Sequence, residues 1–225
     1  MKSNNLKGSL ILCVTAFIWG IAFVAQSDGG ELVPSLTFNA LRSFIAAAAL
    51  FAFYKITADR KERHFFPGEK SLKKQYFIAA GVCGLLLAVS VNLQQFGISA
   101  YPAGAAAEAR SGFITALYVV FVPIISLFFG KKVSPIIYLS VLIAVGGFYM
   151  LCLSGGISGI YVADILVFIC ALSFACQIIA VGHFVGVTGG LKLSILQFAV
   201  VGVLSTAAAL IFERPSLLNI LAAAP

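Results

Sequence analysis

Gly8-Ser9-Leu10-Ile11-Leu12-Cys13-Val14-Thr15-Ala16-Phe17-Ile18-Trp19-Gly20-Ile21-Ala22-Phe23-Val24-Ala25-Gln26 carries no charge, and part of its pattern returns later in the chain. Shifted by 155 positions, Gly8 to Leu12 and Ala16-Phe17 fall on Ala163-Asp164-Ile165-Leu166-Val167 and Ala171-Leu172. Shifted by 160, Gly29-Gly30 falls on Gly189-Gly190, Phe38 on Phe198, and Ala47 to Leu50 on Ala207 to Leu210. Two consecutive segments thus repeat in the same order at nearly the same offset. Five apolar segments separate the copies, an odd number, so the second copy enters the membrane from the other side. Inverted repeats of this kind mark secondary transporters, in which a central site is exposed to each side in turn.

Composition makes the membrane obligatory. Apolar residues form 61% of the chain and charged residues 10%, with a mean hydropathy of +1.05. Soluble domains carry roughly 25% charged residues, so this chain has too few to cover a water-facing surface. The net charge of +7 does not point to nucleic acid, because most basic residues cluster in short loops between apolar segments. That is a topology signal. Lys2 and Lys7 followed by an apolar run resemble a signal peptide, but the run is too long for one and further spans follow.

Seven stretches are long enough to cross ~30 Å of hydrocarbon as helices. They run over 8–26, 34–54, 75–98, 103–129, 135–153, 160–182 and 191–212. Backbone groups in lipid must bond within their own segment, which predicts an all-α polytopic protein. Pro34, Pro102 and Pro135 lie at or before helix starts, where a missing N–H costs little. Pro123 lies well inside the fourth span and predicts a kink there. The first repeat occupies 1–153, and 160–225 is the start of a second, with two helices before the chain stops. The sequence therefore reads as part of a longer protein.

Orientation follows from Lys and Arg. The loop from Lys55 to Lys74 holds seven of them, and Lys131-Lys132 lie on the same side. The alternate loops carry Asp28 and Glu31, or no charge around Ala100 and Gly156. The N-terminus and the Lys55–Lys74 loop are accordingly expected in the cytoplasm.

Polar groups inside the spans are costly and are candidate functional residues. Ser35, Asn39 and Arg42 share one face of the second helix, and Trp19 and Gln26 share one face of the first. Glu108, Ser111, Thr115 and Tyr118 form a polar stripe on the fourth, with Arg110 on another face. Asn92, Gln94 and Gln95 lie near the outer end of the third. The second repeat offers Gln177 and Gln197 in its inner half, so each repeat holds one polar half-cavity. The candidate solute-lining set is Trp19, Asn39, Arg42, Gln95, Glu108, Thr115, Tyr118 and Gln177. Similar depth also predicts an Arg42–Glu108 ion pair joining the second and fourth helices. Asp164 reads as a charge at a helix N-terminus, and Arg110 as a side chain reaching for the interface. His183 reads as an interfacial residue.

The small residues Ala46 to Ala49, Gly81, Gly84, Gly146 and Gly147 are expected to allow close helix approach. All five cysteines (Cys13, Cys83, Cys152, Cys170 and Cys176) fall in apolar runs and read as small buried hydrophobes. There is no HExxH, CxxC or GxxxxGK[ST], so no metal or cofactor is expected.

Several of these residues together resemble the drug/metabolite transporter superfamily, specifically EamA-type permeases. They are Trp19-Gly20, Pro34 followed by Arg42, Gln95-Phe96-Gly97-Ile98, and above all Gly112-Phe113-Ile114-Thr115-Ala116-Leu117-Tyr118-Val119-Val120-Phe121-Val122-Pro123. Gly130-Lys131-Lys132, then Gly146-Gly147, then Asp164 follow in the order that family would have. The resemblance implies ten helices in two inverted five-helix repeats, both termini cytoplasmic, with three helices beyond this chain. Ala103 to Arg110 depart from the polar or Thr-containing link of many such permeases, so specificity is not carried over. The resulting expectation is an exporter of small metabolites or amino-acid-like solutes in the bacterial inner membrane, working by alternating access. Its partners would be a small-molecule substrate and the lipid bilayer, with a homodimer left open. Two readings compete: a polytopic membrane enzyme acting on lipid-linked substrates, and a non-transporting sensor or assembly subunit.

Overall fold

The computed structural model describes residues 2–57, 65–130, 135–150 and 160–214, and every regular element among them is helical. In chain order these are α1 (Lys2–Leu32), α2 (Ser35–Thr57), α3 (Lys70–Ser99), α4 (Ala107–Ala116), α5 (Tyr118–Phe128), α6 (Pro135–Phe148), α7 (Val162–Thr188) and α8 (Gly190–Phe212). The spans expected at 8–26, 34–54, 75–98, 160–182 and 191–212 are α1, α2, α3, α7 and α8. The fourth is the α4–α5 pair. These six are long and apolar enough to cross a membrane, so the protein is a multi-pass membrane protein. The fifth, α6, is shorter, with 14 residues in its helix, and 151–153 of the expected 135–153 span lie outside the described residues. Arg60, Lys61, Arg63, Lys131, Lys132 and Cys152 lie outside them too.

α3 is the axis of the bundle. It packs along α7 and α8, while α2 lies along α8 and α1 rests on α3 and α4. Glycine makes this possible at two places. A Cβ on Gly97 would collide with Val167 of α7, and one on Gly84 would collide with Val200 of α8. Of the small residues singled out from sequence, Gly84 and Gly147 do meet neighbours, whereas Gly81 and Gly146 face nothing within 4 Å. Apolar knobs fill the seams. Leu87, Ala88 and Val91 of α3 pack with Cys170 and Phe174 of α7 and Val201 of α8. Cys83 and Cys170 are fully buried and unbridged, as small hydrophobes; Cys13 is exposed and Cys176 half-buried, so burial does not extend to all of them.

α2 and α8 run antiparallel, and both ends show it. At the end of the bundle away from the N-terminus, here the distal end, Glu213 after α8 meets the first turn of α2. At the opposite, proximal end, the Lys192 ammonium near the start of α8 lies 5.5 Å from the Tyr54 ring near the end of α2. Tyr76 of α3 closes the same end by donating to the Thr188 carbonyl at 3.2 Å.

The repeated Gly-Gly pairs differ in use. Gly189 has φ of 75° and ends α7, a left-handed conformation that glycine adopts without steric cost. Gly29 and Gly30 instead stay within α1, where a Cβ on Gly29 would strike Phe38 and one on Gly30 would come within 2.9 Å of Gln95 and Ser99 side-chain atoms. The first pair serves close packing, the second a tight turn.

The fourth span tightens by one turn at Leu117, whose backbone stays in the right-handed helical region. α4 and α5 are separated by Leu117, where Val120 N–H bonds the Leu117 carbonyl at 2.9 Å in a tightened i→i+3 turn. Pro123 has no N–H for the Val119 carbonyl, and its ring crowds that turn. The disturbance thus appears on the N-terminal side of the proline.

Candidate functional site

The tightened turn at Leu117 borders a cavity of about 350 Å³. Leu12, Thr15, Ala16, Trp19, Gly20 and Phe23 of α1 form one wall; Gly112, Thr115 and Ala116 of α4 and Tyr118 of α5 form the other. Gly20 and Gly112 remove side-chain bulk along its length. The rings of Trp19, Tyr118 and Phe174 make a triangle with centroids 6.1–6.4 Å apart. Phe174 belongs to α7, so aromatic surface from both sequence repeats meets here. Such rings offer flat apolar contact, and their faces attract cations. Thr115 is held in place by Gln94, whose Nε2 donates to its Oγ1 at 3.1 Å.

The remaining polar candidates are placed elsewhere. Asn39 is fully buried and donates to the Val91 carbonyl at 3.0 Å and to Asn92 Oδ1 at 2.9 Å. Asn92 in turn donates to Ser205 at 2.9 Å, so this network ties α2, α3 and α8 together. Gln95 donates to the Gln26 carbonyl at 2.9 Å, joining α3 to α1. The Oε1 atoms of Gln26 and Gln95 are buried acceptors with no protein partner. Gln177 donates to Gln197 Oε1 at 2.9 Å between α7 and α8. Glu108 lines a smaller polar hollow of about 260 Å³ at the distal end, with Ser27, Glu31 and Ser99.

The expected Arg42–Glu108 ion pair does not form. The Arg42 guanidinium lies 5.6 Å from the Phe38 ring on its own helix, while Glu108 shares its hollow with Ser27 and Glu31 of α1. Depth in the bilayer was a poor guide because it carries no information about which faces of two helices meet.

Arg110 has the partner instead. Its Nη2 lies 2.6 Å from Asp164 Oδ2 and its Nε 3.1 Å from Oδ1, a two-point contact between α4 and α7. Tyr101 donates its hydroxyl to Oδ1 at 2.6 Å, and the Tyr161 N–H donates to Oδ2 at 2.9 Å. The Tyr161 ring lies 4.9 Å from the guanidinium carbon and the Tyr101 ring 6.0 Å. Asp164 is 3% exposed and Arg110 11%, so the pair is largely withdrawn from solvent. The expected helix-terminal role of Asp164 also holds, since it caps α7 through the Tyr161 N–H. Burial first, then the Asp164 carboxylate, push the Tyr101 phenol well above its ordinary pKa.

Comparison with known proteins bears directly on this arrangement. The profile of the EamA-like transporter family matches residues 6–153. The chain belongs to the EamA-like transporter family. An uncharacterized transporter of Archaeoglobus fulgidus is 29% identical over 203 residues, covering 90% of this chain and 58% of that protein. The chain thus spans a little over half the length of that relative. No solved structure matches it.

Within the EamA-family chain, the cavity gathers Trp19, Thr115 and Tyr118 of the eight candidates. Phe174 went unnoticed because a phenylalanine in an apolar helix carries no sequence signal of its own. The Arg110–Asp164 contact went unnoticed for a different reason. Taken singly, Arg110 is an interfacial cation and Asp164 a helix cap, and only the fold puts α4 against α7.

Proposed function

We propose that the full-length protein is a secondary transporter that exports small metabolites or amino-acid-like solutes by alternating access. The observation that supports this most is the cavity between α1 and the fourth span, lined by Trp19, Thr115 and Tyr118 and flanked by Phe174. A solute there would contact both sequence repeats, as a central site between inverted repeats requires. Trp19, Tyr118 and Phe174 would grip an apolar or cationic part of the solute, and Thr115 would offer a hydroxyl. Gln95 would face the solute's path through its free Oε1, and Glu108 would stand at the distal mouth. Asn39, Arg42 and Gln177 keep a supporting part in this reading, holding the helices around the path.

In this reading the proximal end and the N-terminus face the cytoplasm of a bacterial inner membrane, which the basic loops support. The test is solute counterflow in proteoliposomes holding the full-length protein, using amino acids and small amines as candidate solutes. Trp19→Ala and Tyr118→Ala should each lower the initial rate about tenfold, since a lost aromatic contact of ~1.4 kcal/mol is one decade, and Thr115→Ala about fivefold, since a lost hydroxyl hydrogen bond is worth ~1 kcal/mol. Unchanged rates in all three would remove the cavity from the transport path.

A further inference from the structure

We propose that the Trp19–Tyr118 cavity selects solutes that carry a protonated amine on a small flat or apolar body, and disfavours carboxylates. The inference rests on the reading of this cavity as the solute site. The rings carry it first. Trp19 and Tyr118 line the cavity with centroids 6.4 Å apart, and Phe174 packs behind both. No two of the three rings are parallel; their planes are inclined at 53–59°. A cation between Trp19 and Tyr118 thus lies within about 6 Å of both centroids, the range over which a ring face attracts it. An anion there meets the negative faces of the same rings.

The lining decides against the anion. It holds no Lys, Arg or His and no carboxylate. A carboxylate moved into it gives up its hydration with no cation to offset the loss. An amine gives up hydration too, but the ring faces return part of it. Acceptors lie close by on the same two helices. Gln26 follows Phe23 by less than a turn of α1, and Ser111 directly precedes Gly112 of α4. They are 6% and 0% exposed, and Gln26 Oε1 and Ser111 Oγ have no protein partner. Ammonium N–H groups need acceptors of this kind.

The local field favours the same sign. About one helical turn beyond Phe23 on α1 is Ser27, and about one turn before Gly112 on α4 is Glu108. Both line the distal polar hollow, whose wall holds Glu31 and Glu108 and no Lys, Arg or His. Phe23 spans the seam between α1 and α4, 3.6 Å from the Cβ position of Gly112. Arg110 is held by Asp164 of α7, and Arg42 lies over Phe38 of α2; neither lines the cavity or the hollow. Carboxylates at the end of a groove with low-dielectric walls raise the local concentration of cations and lower that of anions.

The test is equilibrium dialysis of the full-length protein in detergent at neutral pH against three probes of like size. They are 2-phenylethylamine (cation), 2-phenylethanol (neutral) and 3-phenylpropionate (anion). The amine should bind about tenfold more tightly than the alcohol, and the carboxylate more weakly than either. Trp19→Leu should shrink the amine-to-alcohol ratio to about threefold or less, and Trp19→Phe should keep more of it, because the ring face remains. Glu108→Gln, an exchange outside the packed core, should weaken the amine about threefold and leave the alcohol unchanged. Equal affinity for amine and alcohol, tighter binding of the carboxylate, no binding of the amine, or a ratio unmoved by both Trp19→Leu and Glu108→Gln overturns the proposal. Amine preference in dialysis with no solute counterflow in proteoliposomes would overturn the transport reading and leave the charge preference standing.

Discussion

Thr37 gives Glu213 two hydrogen bonds, from its backbone N–H at 2.8 Å and from its hydroxyl at 2.7 Å, across 176 residues of chain. Leu36 N–H adds a third at 2.7 Å. The first turn of a helix has N–H groups with no partner of their own, and a carboxylate there also meets the positive end of the helix dipole. Glu213 is thus a cap delivered to α2 from beyond the end of α8. Glu213→Ala should destabilise the protein by ~1–2 kcal/mol, and Glu213→Gln by less, because the amide still accepts a bond. Thermal unfolding in detergent reads both. Equal stability of Glu213→Ala and the parent would mean that α2 is capped by solvent alone.

Glycines on one helix should answer differently to the same change. Gly97→Ala puts a methyl group into Val167 of α7 and should cost ~1–3 kcal/mol. Gly81→Ala meets nothing within 4 Å and should be neutral or stabilising by up to ~1 kcal/mol, the ordinary gain in helix propensity. Unfolding midpoints of the two variants should therefore move in opposite directions or differ clearly in size.

These two cases show what was legible in the sequence. Helix number and order followed from apolar run lengths, because lipid leaves the backbone no alternative to helix. Six of the seven expected spans fit this rule as long helices. The faces that meet did not follow. Arg42 and Glu108 share a depth yet have different neighbours, and Gly81 and Gly84 share a helix yet only Gly84 is a contact. Pairing depends on the rotation of each helix about its axis, which packing sets. Trp19, Thr115 and Tyr118 were legible because polar or amphipathic side chains stand out in apolar spans. Phe174 does not stand out, so the aromatic triangle was only half visible.

Tyr101 makes the distal cluster sensitive to alkali. Its phenol is raised in the folded state, chiefly by burial and then by Asp164. The stability it contributes is complete below the unfolded phenol pKa of about 10 and is lost as pH climbs toward the raised folded value. Unfolding midpoints should hold level on account of this group from neutral pH to about 9, then fall above ~10. In Tyr101→Phe that alkaline fall should be shallower than in the parent. An identical alkaline slope in the two proteins would show that this phenol is not linked to folding.

The charge distribution predicts a sidedness that thiol labelling can check. Ser71 lies in the first turn of α3, is exposed, and adjoins the basic Lys55–Lys74 loop. Ser71→Cys in intact cells should resist an impermeant reagent and react once the membrane is opened. Asp28→Cys, on an exposed position at the other end of α1, should react in intact cells. Reversal of the two patterns would invert the orientation inferred from the lysines and arginines.

Arg42 and Glu108 should act independently, and Arg110 and Asp164 should not. Groups without a shared partner give additive effects within ~0.5 kcal/mol, whereas groups in direct contact couple by about 0.5–3 kcal/mol. Arg42 sits over Phe38 on α2 and Glu108 lines a hollow with Ser27 of α1, so the cycle built from Arg42→Met and Glu108→Gln should close to within that additive limit. The cycle built from Arg110→Gln and Asp164→Asn should leave a coupling near the upper end of the range, because each single change strands a buried charge while the double change strands none. Stability of the parent, the four single variants and the two double variants in one detergent supplies both cycles. Clear coupling between Arg42 and Glu108 would restore the pairing expected from their depth and place it in a conformation other than this one.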